Sequence, residues 1–268
     1  LRKLSTSGIV GTFDKISPVP KSLKLLLYVF SLGKNNQVSE IEKDPGEILC
    51  KSLEEMGTTF IKLGQFLATR PDIIGDQIAK KLEKLQDRLP AFNINEARSI
   101  LRNEIGDKTF QNIISFSEPV AAASIAQVHF AKIKIDGQEK DLAIKILRPN
   151  IKKIFNEELD SLMFLAYLVE NIFKKTKRLK LVEVIHLLKE ITNVEMDLRF
   201  EAAAASELYE NMSGDSGIKV PKIYWNYTSK KVLTLDRVNG VSIRDIDKLK
   251  SLNIDLKNLS KNLIQSFL

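Results

Sequence analysis

From Gly46 onward, apolar residues return at alternating steps of four and three: Leu49, Leu53, Met56, Phe60, Leu63 and Leu67. That spacing predicts one face of an amphipathic helix. Pro71 ends it, because the residue before a proline is pushed out of helical geometry. Ile74, Ile78, Leu82 and Leu85 mark a second helical face, and Asn95, with Glu96 just inside, predicts the start of a third through "ARSILRNEI". Near Phe116 the pattern changes. Between Val120 and Leu147 come β-branched runs and an Asp136-Gly137 turn, which read as strands. After Pro149 helical periodicity returns in "NIKKIFNEELDSLMFLAYLVENIF" and "LVEVIHLLKEITNVEMDLRFEAAAASELYENM", the latter closed by "GDSG" at 214–217. "VPKIYWNY" and "KKVLTLDRV" predict a strand pair turning at Ser229-Lys230, and Gly240 and Ser242 open a last helical region. Residues 1–45 are weakly patterned, punctuated by Pro18, Pro20 and Pro45. The succession of helices, strands, long helices, strands and helix predicts an α+β fold. No internal repeat or low-complexity tract interrupts it.

Composition narrows the chemistry. The 268 residues are 44% hydrophobic and 28% charged, which suits a globular chain of about two domains. A single cysteine, Cys50, excludes an internal disulfide and a Cys-rich zinc site. Two histidines, His129 and His186, argue against a histidine-based metal centre. The net charge is +7, with its densest run in "KKTKRLK", 174–180. That run reads as a solvated loop between helices or as a docking patch for anionic lipid or an acidic partner. Nucleic acid fits poorly, because aromatics make up 7% of the chain and do not interleave with the basic runs. The longest apolar run, "SLKLLLYVFSLG" at 22–33, falls short of the roughly 18 residues a membrane span needs.

Two groups of charge stand beside apolar patterns. Strand alternation also permits Lys145 to face solvent, and Lys62 with Gln65 also reads as an ordinary polar helix face. Lys145 lies between Ile144 and Ile146 on a predicted strand, and Glu201 shares a helical face with Val194, Leu198, Ala205 and Leu208. A glutamate on an apolar stripe is costly unless a cation meets it. A strand lysine paired with a helix glutamate is the kinase arrangement that orients nucleotide phosphates. Asp197 shares the Glu201 face and Glu195 flanks it, so "EMDLRFE" calls for a metal or a second lysine, for which Lys62 is the candidate. Lys62 and Gln65 project together from "FIKLGQ", and Gly64 between them predicts close approach of another backbone.

Taken in order and spacing, "FIKLGQ", "AAASIAQVH", "LAIKILRP" and "EMDLRFEA" resemble the UbiB family, atypical kinase-like proteins associated with ubiquinone biosynthesis. The resemblance covers about residues 45 to 268. It implies a protein-kinase-like small lobe, an antiparallel sheet plus helix, carrying an N-terminal helical extension that folds over the active site. Lys62 and Gln65 would belong to the family's KxGQ signature, and Glu195 and Asp197 to the ExD signature that faces Lys62. Ala121, Ala122, Ala123 and Ser124 would form an alanine-rich loop where kinases carry glycine. Lys145 would bind nucleotide with Glu201 as its ion-pair partner, and Asp236 to Val238 would form the hinge that offers backbone groups to adenine. Each loop alanine adds a methyl group and resists left-handed geometry, so the loop is stiffer than a glycine loop.

The resemblance divides the chain into an N-terminal segment (1–45), a helical extension (46–115), a kinase-like small lobe (116–240) and the start of a truncated large lobe (241–268). After Asn239 the sequence contains neither the HxD…N loop nor the DFG of that lobe. Three expectations follow. The first is the N-terminal part of a UbiB-type enzyme: the complete protein binds ATP or ADP with Mg2+, supports ubiquinone biosynthesis and sits on the cytoplasmic side of the inner membrane, whereas this stretch alone is inert. The second is a conventional protein kinase, against which "AAAS" and "KLGQ" count. The third is a non-catalytic module from a shortened gene that binds nucleotide, lipid or partner proteins.

Overall fold

The computed structural model describes residues 45–268 except 84, 86–89, 173, 216, 244 and 268. The N-terminal segment and its run at 22–33 lie outside the described residues. The chain divides into two compact units that interleave along the sequence. One takes in residues up to 89, 123–125 and 150–193; the other takes in 90–122, 126–149 and 194–268.

The first unit is helical. α1 (Pro45–Met56) buries Leu49, Leu53 and Met56, and α2 (Thr58–Ala68) follows after one residue. The sequence predicts one helix here. It breaks at Gly57, whose φ of 104° is accessible to glycine at little cost. The break rotates the second helix, so α2 buries Thr59, Phe60, Ile61 and Gly64 instead of Leu63 and Leu67. The close approach at Gly64 is made by side chains, not backbone: a Cβ there would stand 2.8 Å from a Leu53 methyl and closer still to Leu85. Two short helices, α3 (Pro71–Ile74) and α4 (Asp76–Leu82), carry Ala79 and Leu82 into the same core.

The second unit is built on a four-stranded antiparallel sheet in the order β1 (Ile113–Ala122), β2 (Ala126–Ile135), β3 (Gln138–Leu147) and β4 (Val232–Asp236). β2 and β3 pair without interruption from Ala126↔Leu147 to Ile135↔Gln138, around the expected turn at Asp136 (φ 50°) and Gly137 (φ 80°). α5 (Ile94–Ile105) lays Ala97 and Leu101 against Ala131, Ile133, Leu142, Ile144, Ile146 and Val232. Its cap is Asn93, two residues before the predicted Asn95, with the Asn93 side chain accepting from the Asn95 N–H at 2.8 Å. By sequence α5 belongs with the extension; by packing it covers the sheet. A short turn, α6 (Asp107–Phe110), leads into β1.

After β3 the chain returns to the helical unit. α7 (Ile151–Ile172) buries Phe155, Leu159, Leu162 and Ala166; a 3-10 turn (Lys174–Leu179) leads to α8 (Leu181–Glu195), which buries Val184, Ile185, Leu188 and Thr192. α8 and α9 (Leu198–Asn211) are separate helices where the periodicity predicts one. Of "VPKIYWNY" only an isolated bridge, Ile223↔Leu235, and a 3-10 turn at Trp225–Tyr227 form, in place of the predicted strand. The Thr228 hydroxyl and the Tyr227 carbonyl bond Thr234 of β4 instead. α10 (Ile246–Ser251) and α11 (Leu256–Phe267) follow β4. Among the described residues no helix is long and apolar enough to cross a membrane.

Candidate functional site

The β2–β3 register sorts the sheet into two faces. Gln127, His129, Ala131, Leu142, Ile144 and Ile146 are buried on the α5 side. Val128 opposite Lys145, and Phe130 opposite Ala143, are half-buried on the other. On that second face Lys145 Nζ donates to both carboxylate oxygens of Glu201 at 2.9 and 2.7 Å. The two side chains are 25% and 49% exposed, so the pair is half-buried at the lysine and open to water at the glutamate. The stripe itself differs from expectation. α9 buries Leu198 and Ala202, while Val194 and Leu208 face solvent, because the helix break at Met196–Asp197 takes Val194 out of phase.

Asp197 makes that break. Its side chain accepts from the Arg199 N–H at 3.2 Å and caps α9, and the Arg199 guanidinium clamps it at 2.9 and 2.6 Å. The hydrogen bonds from Arg199 hold the Asp197 carboxyl below the usual carboxylate range, and the Lys230 charge adds to this. The partner of Asp197 is therefore Arg199, two residues along, where the sequence reading expected a metal or a second lysine. The Leu198 N–H bonds the Lys230 carbonyl at 3.0 Å, fixing the start of α9 to the turn before β4. Glu195 is half-buried at the end of α8.

Ala121 and Ala122 are strand residues, paired with Val128 and Gln127; the connection is only 123–125, so the alanine loop is shorter than the sequence suggests. Among the described residues the non-glycine positions with positive φ are Asp136, Asn150, Lys180 and Asn253. Ala121 to Ser124 thus keep ordinary backbone geometry. Ser124 is buried and Ala123 half-buried. Lys62 and Gln65 are half-buried on α2 of the helical unit.

The predicted hinge is firmly held. The Asp236 N–H bonds the Lys222 carbonyl at 3.0 Å, and the Arg237 N–H bonds the Asp141 carbonyl at 3.2 Å. The Asp236 carboxylate accepts from Tyr224 Oη at 2.8 Å and the Lys222 N–H at 3.2 Å. Burial and this acceptor push the Tyr224 hydroxyl up to about 12. Val238 is exposed. The Arg237 guanidinium lies 3.9 Å from the centre of the Phe130 ring, a contact absent from the sequence reading. Behind the sheet, Gln127 bonds both backbone groups of Phe92 and donates to His129 Nε2 at 2.9 Å. His129 Nδ1 donates to the Ser117 carbonyl at 2.8 Å. Among the described residues no three acidic, histidine or cysteine side chains converge as metal ligands.

The sequence matches the ABC1 atypical kinase-like domain over residues 84–268. Curated proteins named "Probable protein kinase UbiB" align along most of it. That of Marinobacter nauticus is 35% identical over 259 residues, covering 96% of this chain and 46% of the relative. That of Cellvibrio japonicus is 35% identical over 257 residues, covering 95% and 45%. That of Azotobacter vinelandii is 37% identical over 217 residues, covering 81% and 40%. The chain spans less than half the length of these relatives. With a kinase-like sheet and a strand lysine bound to a helix glutamate, it belongs to the UbiB family of ABC1 atypical kinase-like proteins.

Proposed function

We propose that this chain supplies the nucleotide-seating half of a UbiB-type atypical kinase or ATPase, with ATP or ADP as its ligand. The carrying observation is the Lys145–Glu201 pair. Glu201 fixes the ammonium in one place, and a placed cation is what α- and β-phosphates need. Val128, Phe130 and Ala143, half-buried on the same sheet face, suit a planar base. The hinge backbone at Asp236 and Val238 would orient it, and Ala121, Ala122, Ala123 and Ser124 would border the phosphates. Mg2+ would arrive with the nucleotide; no ligand for it is assigned within this chain. Lys62 and Gln65 would carry the KxGQ function, and Glu195 and Asp197 the ExD function. The complete protein would use this site in support of ubiquinone biosynthesis, peripheral to the inner membrane on the cytoplasmic side. Exposed Lys177, Arg178 and Lys180 around the 3-10 turn support contact with anionic lipid or an acidic partner there.

The test is calorimetric titration of the chain with MgADP and MgATP. Binding should be saturable and should fall at least tenfold in Lys145→Ala. Equal binding by parent and variant would remove Lys145 from the site and the proposal with it.

A further inference from the structure

The hinge carries a side chain that the nucleotide reading does not use. Arg237 follows Asp236 directly at the end of β4, and its guanidinium rests on the Phe130 ring at 3.9 Å. Phe130 sits opposite Ala143 in the β2–β3 register, on the sheet face that carries Lys145. Arg237 therefore spans from β4, past β3, to β2, over the half-buried patch assigned to the base. Its backbone is anchored: the Arg237 N–H is held by the Asp141 carbonyl and the preceding N–H by the Lys222 carbonyl. Both N–H groups are spent within the protein. The Asp236 carboxylate is committed to Tyr224 and Lys222. What this stretch has left to distinguish one base from another is the Val238 N–H, its carbonyls and the Arg237 side chain.

We propose that Arg237 is a specificity-determining residue for the base. Its guanidinium, held over the Phe130 ring at 3.9 Å, forms a preassembled cationic platform on which a purine stacks. A guanidinium is planar and weakly hydrated, so it can hold an aromatic ring on each face, which an ammonium cannot. Adenine offers more π surface than cytosine, so the platform favours purine nucleotides. Beside Phe130 the same face offers apolar Val128 and Ala143; the charges nearest them are already engaged, Lys145 by Glu201 and Lys132 by Glu139, with Asp141 opposite Lys132. The inference rests on the proposed nucleotide reading and adds the residue that selects the base. The phosphates remain with Lys145.

Three probes separate the parts: MgADP, MgCDP and magnesium pyrophosphate, each titrated into the 268-residue chain and into Arg237→Ala, Arg237→Lys and Lys145→Ala. Arg237→Ala should weaken ADP about fivefold, as expected for an exposed cation–π contact. It should shrink the preference for ADP over CDP and leave pyrophosphate unchanged. Arg237→Lys should recover little of the preference, because charge is kept and the stacking plane is lost. The Arg237 side chain is exposed, so the melting temperature of each Arg237 variant should stay close to the parent's. Equal weakening of ADP and pyrophosphate, full recovery by lysine, or an unchanged ADP/CDP ratio would each overturn the platform. If the parent binds neither ADP nor pyrophosphate, or if Lys145→Ala binds both as the parent does, the nucleotide reading itself falls, and the platform with it.

Discussion

Lys145 and Glu201 meet at 2.7 Å, yet their side chains are 25% and 49% exposed. Water screens the attraction, so Glu201→Gln should change unfolding free energy by less than about 1 kcal/mol. The same change frees the ammonium to wander, so MgADP affinity should fall more than stability does; chemical denaturation and titration on one preparation compare the two. His129 presents the opposite case. It is fully buried, stacked on Phe116 with ring centres 4.3 Å apart, and bonded through both ring nitrogens. Nδ1 donates to a carbonyl and Nε2 accepts from an amide, so the ring is held neutral, and burial lowers its pKa below the ordinary 6.5. The sign follows from proton uptake. Below pH 6.5 the unfolded chain binds a proton that the folded chain refuses, so stability falls as pH drops through that range. The urea midpoint should be lower at pH 5.5 than at 7.5, and His129→Gln, though less stable, should show a shallower pH dependence. A slope equal to the parent's would assign the effect to other groups.

Periodicity reads well where an element runs unbroken and poorly where it turns. The alternation of β2 and β3 and the Asp136–Gly137 turn were legible because one face of the sheet is wholly buried, which fixes register. The pairing of Lys145 with Glu201 was legible from the kinase-like order of the motifs more than from burial, since Lys145 alternates away from Ile144 and Ile146 and Val194 and Leu208 of the Glu201 stripe face solvent. The breaks at Gly57 and at Met196–Asp197 were not, since apolar spacing continues across both and only backbone geometry or a capping bond reveals them. "VPKIYWNY" has strand composition, but only Lys222 to Tyr224 bond the β4 backbone, and the 3-10 turn at Trp225–Tyr227 ends the pairing after a single bridge. These breaks give element-level tests. Asp197→Ala removes the α9 cap and should cost about 1 kcal/mol. It also releases Arg199, so Arg199→Ala and the double variant should not add in a denaturation cycle. Gly64→Ala sets a methyl group against Leu53 and Leu85. Crowding of about 1–3 kcal/mol should outweigh the gain in helix propensity of about 1 kcal/mol, giving a lower melting temperature.

At the scale of the molecule, the sequence-level border at residue 116 is not a physical one. α5 lies before it, yet Ala97 and Leu101 are fully buried in the core beneath the sheet. A chain begun at residue 116 loses both, and loss of a buried leucine alone costs about 2–5 kcal/mol. It should lack a cooperative thermal transition, which circular dichroism would register. The helical unit is likewise not a contiguous stretch: α2 packs on α7, which begins at Ile151, beyond the whole β1–β3 meander. This ordering has a consequence during synthesis. α1 and α2 leave the ribosome before their partner exists, and about 80 residues must follow, taking about 4–16 s at ordinary elongation rates. Through that interval the part of α2 that packs on α7 waits uncovered. The newborn chain thus passes through a stage in which its KxGQ helix is a ready target for chaperones or for premature self-association.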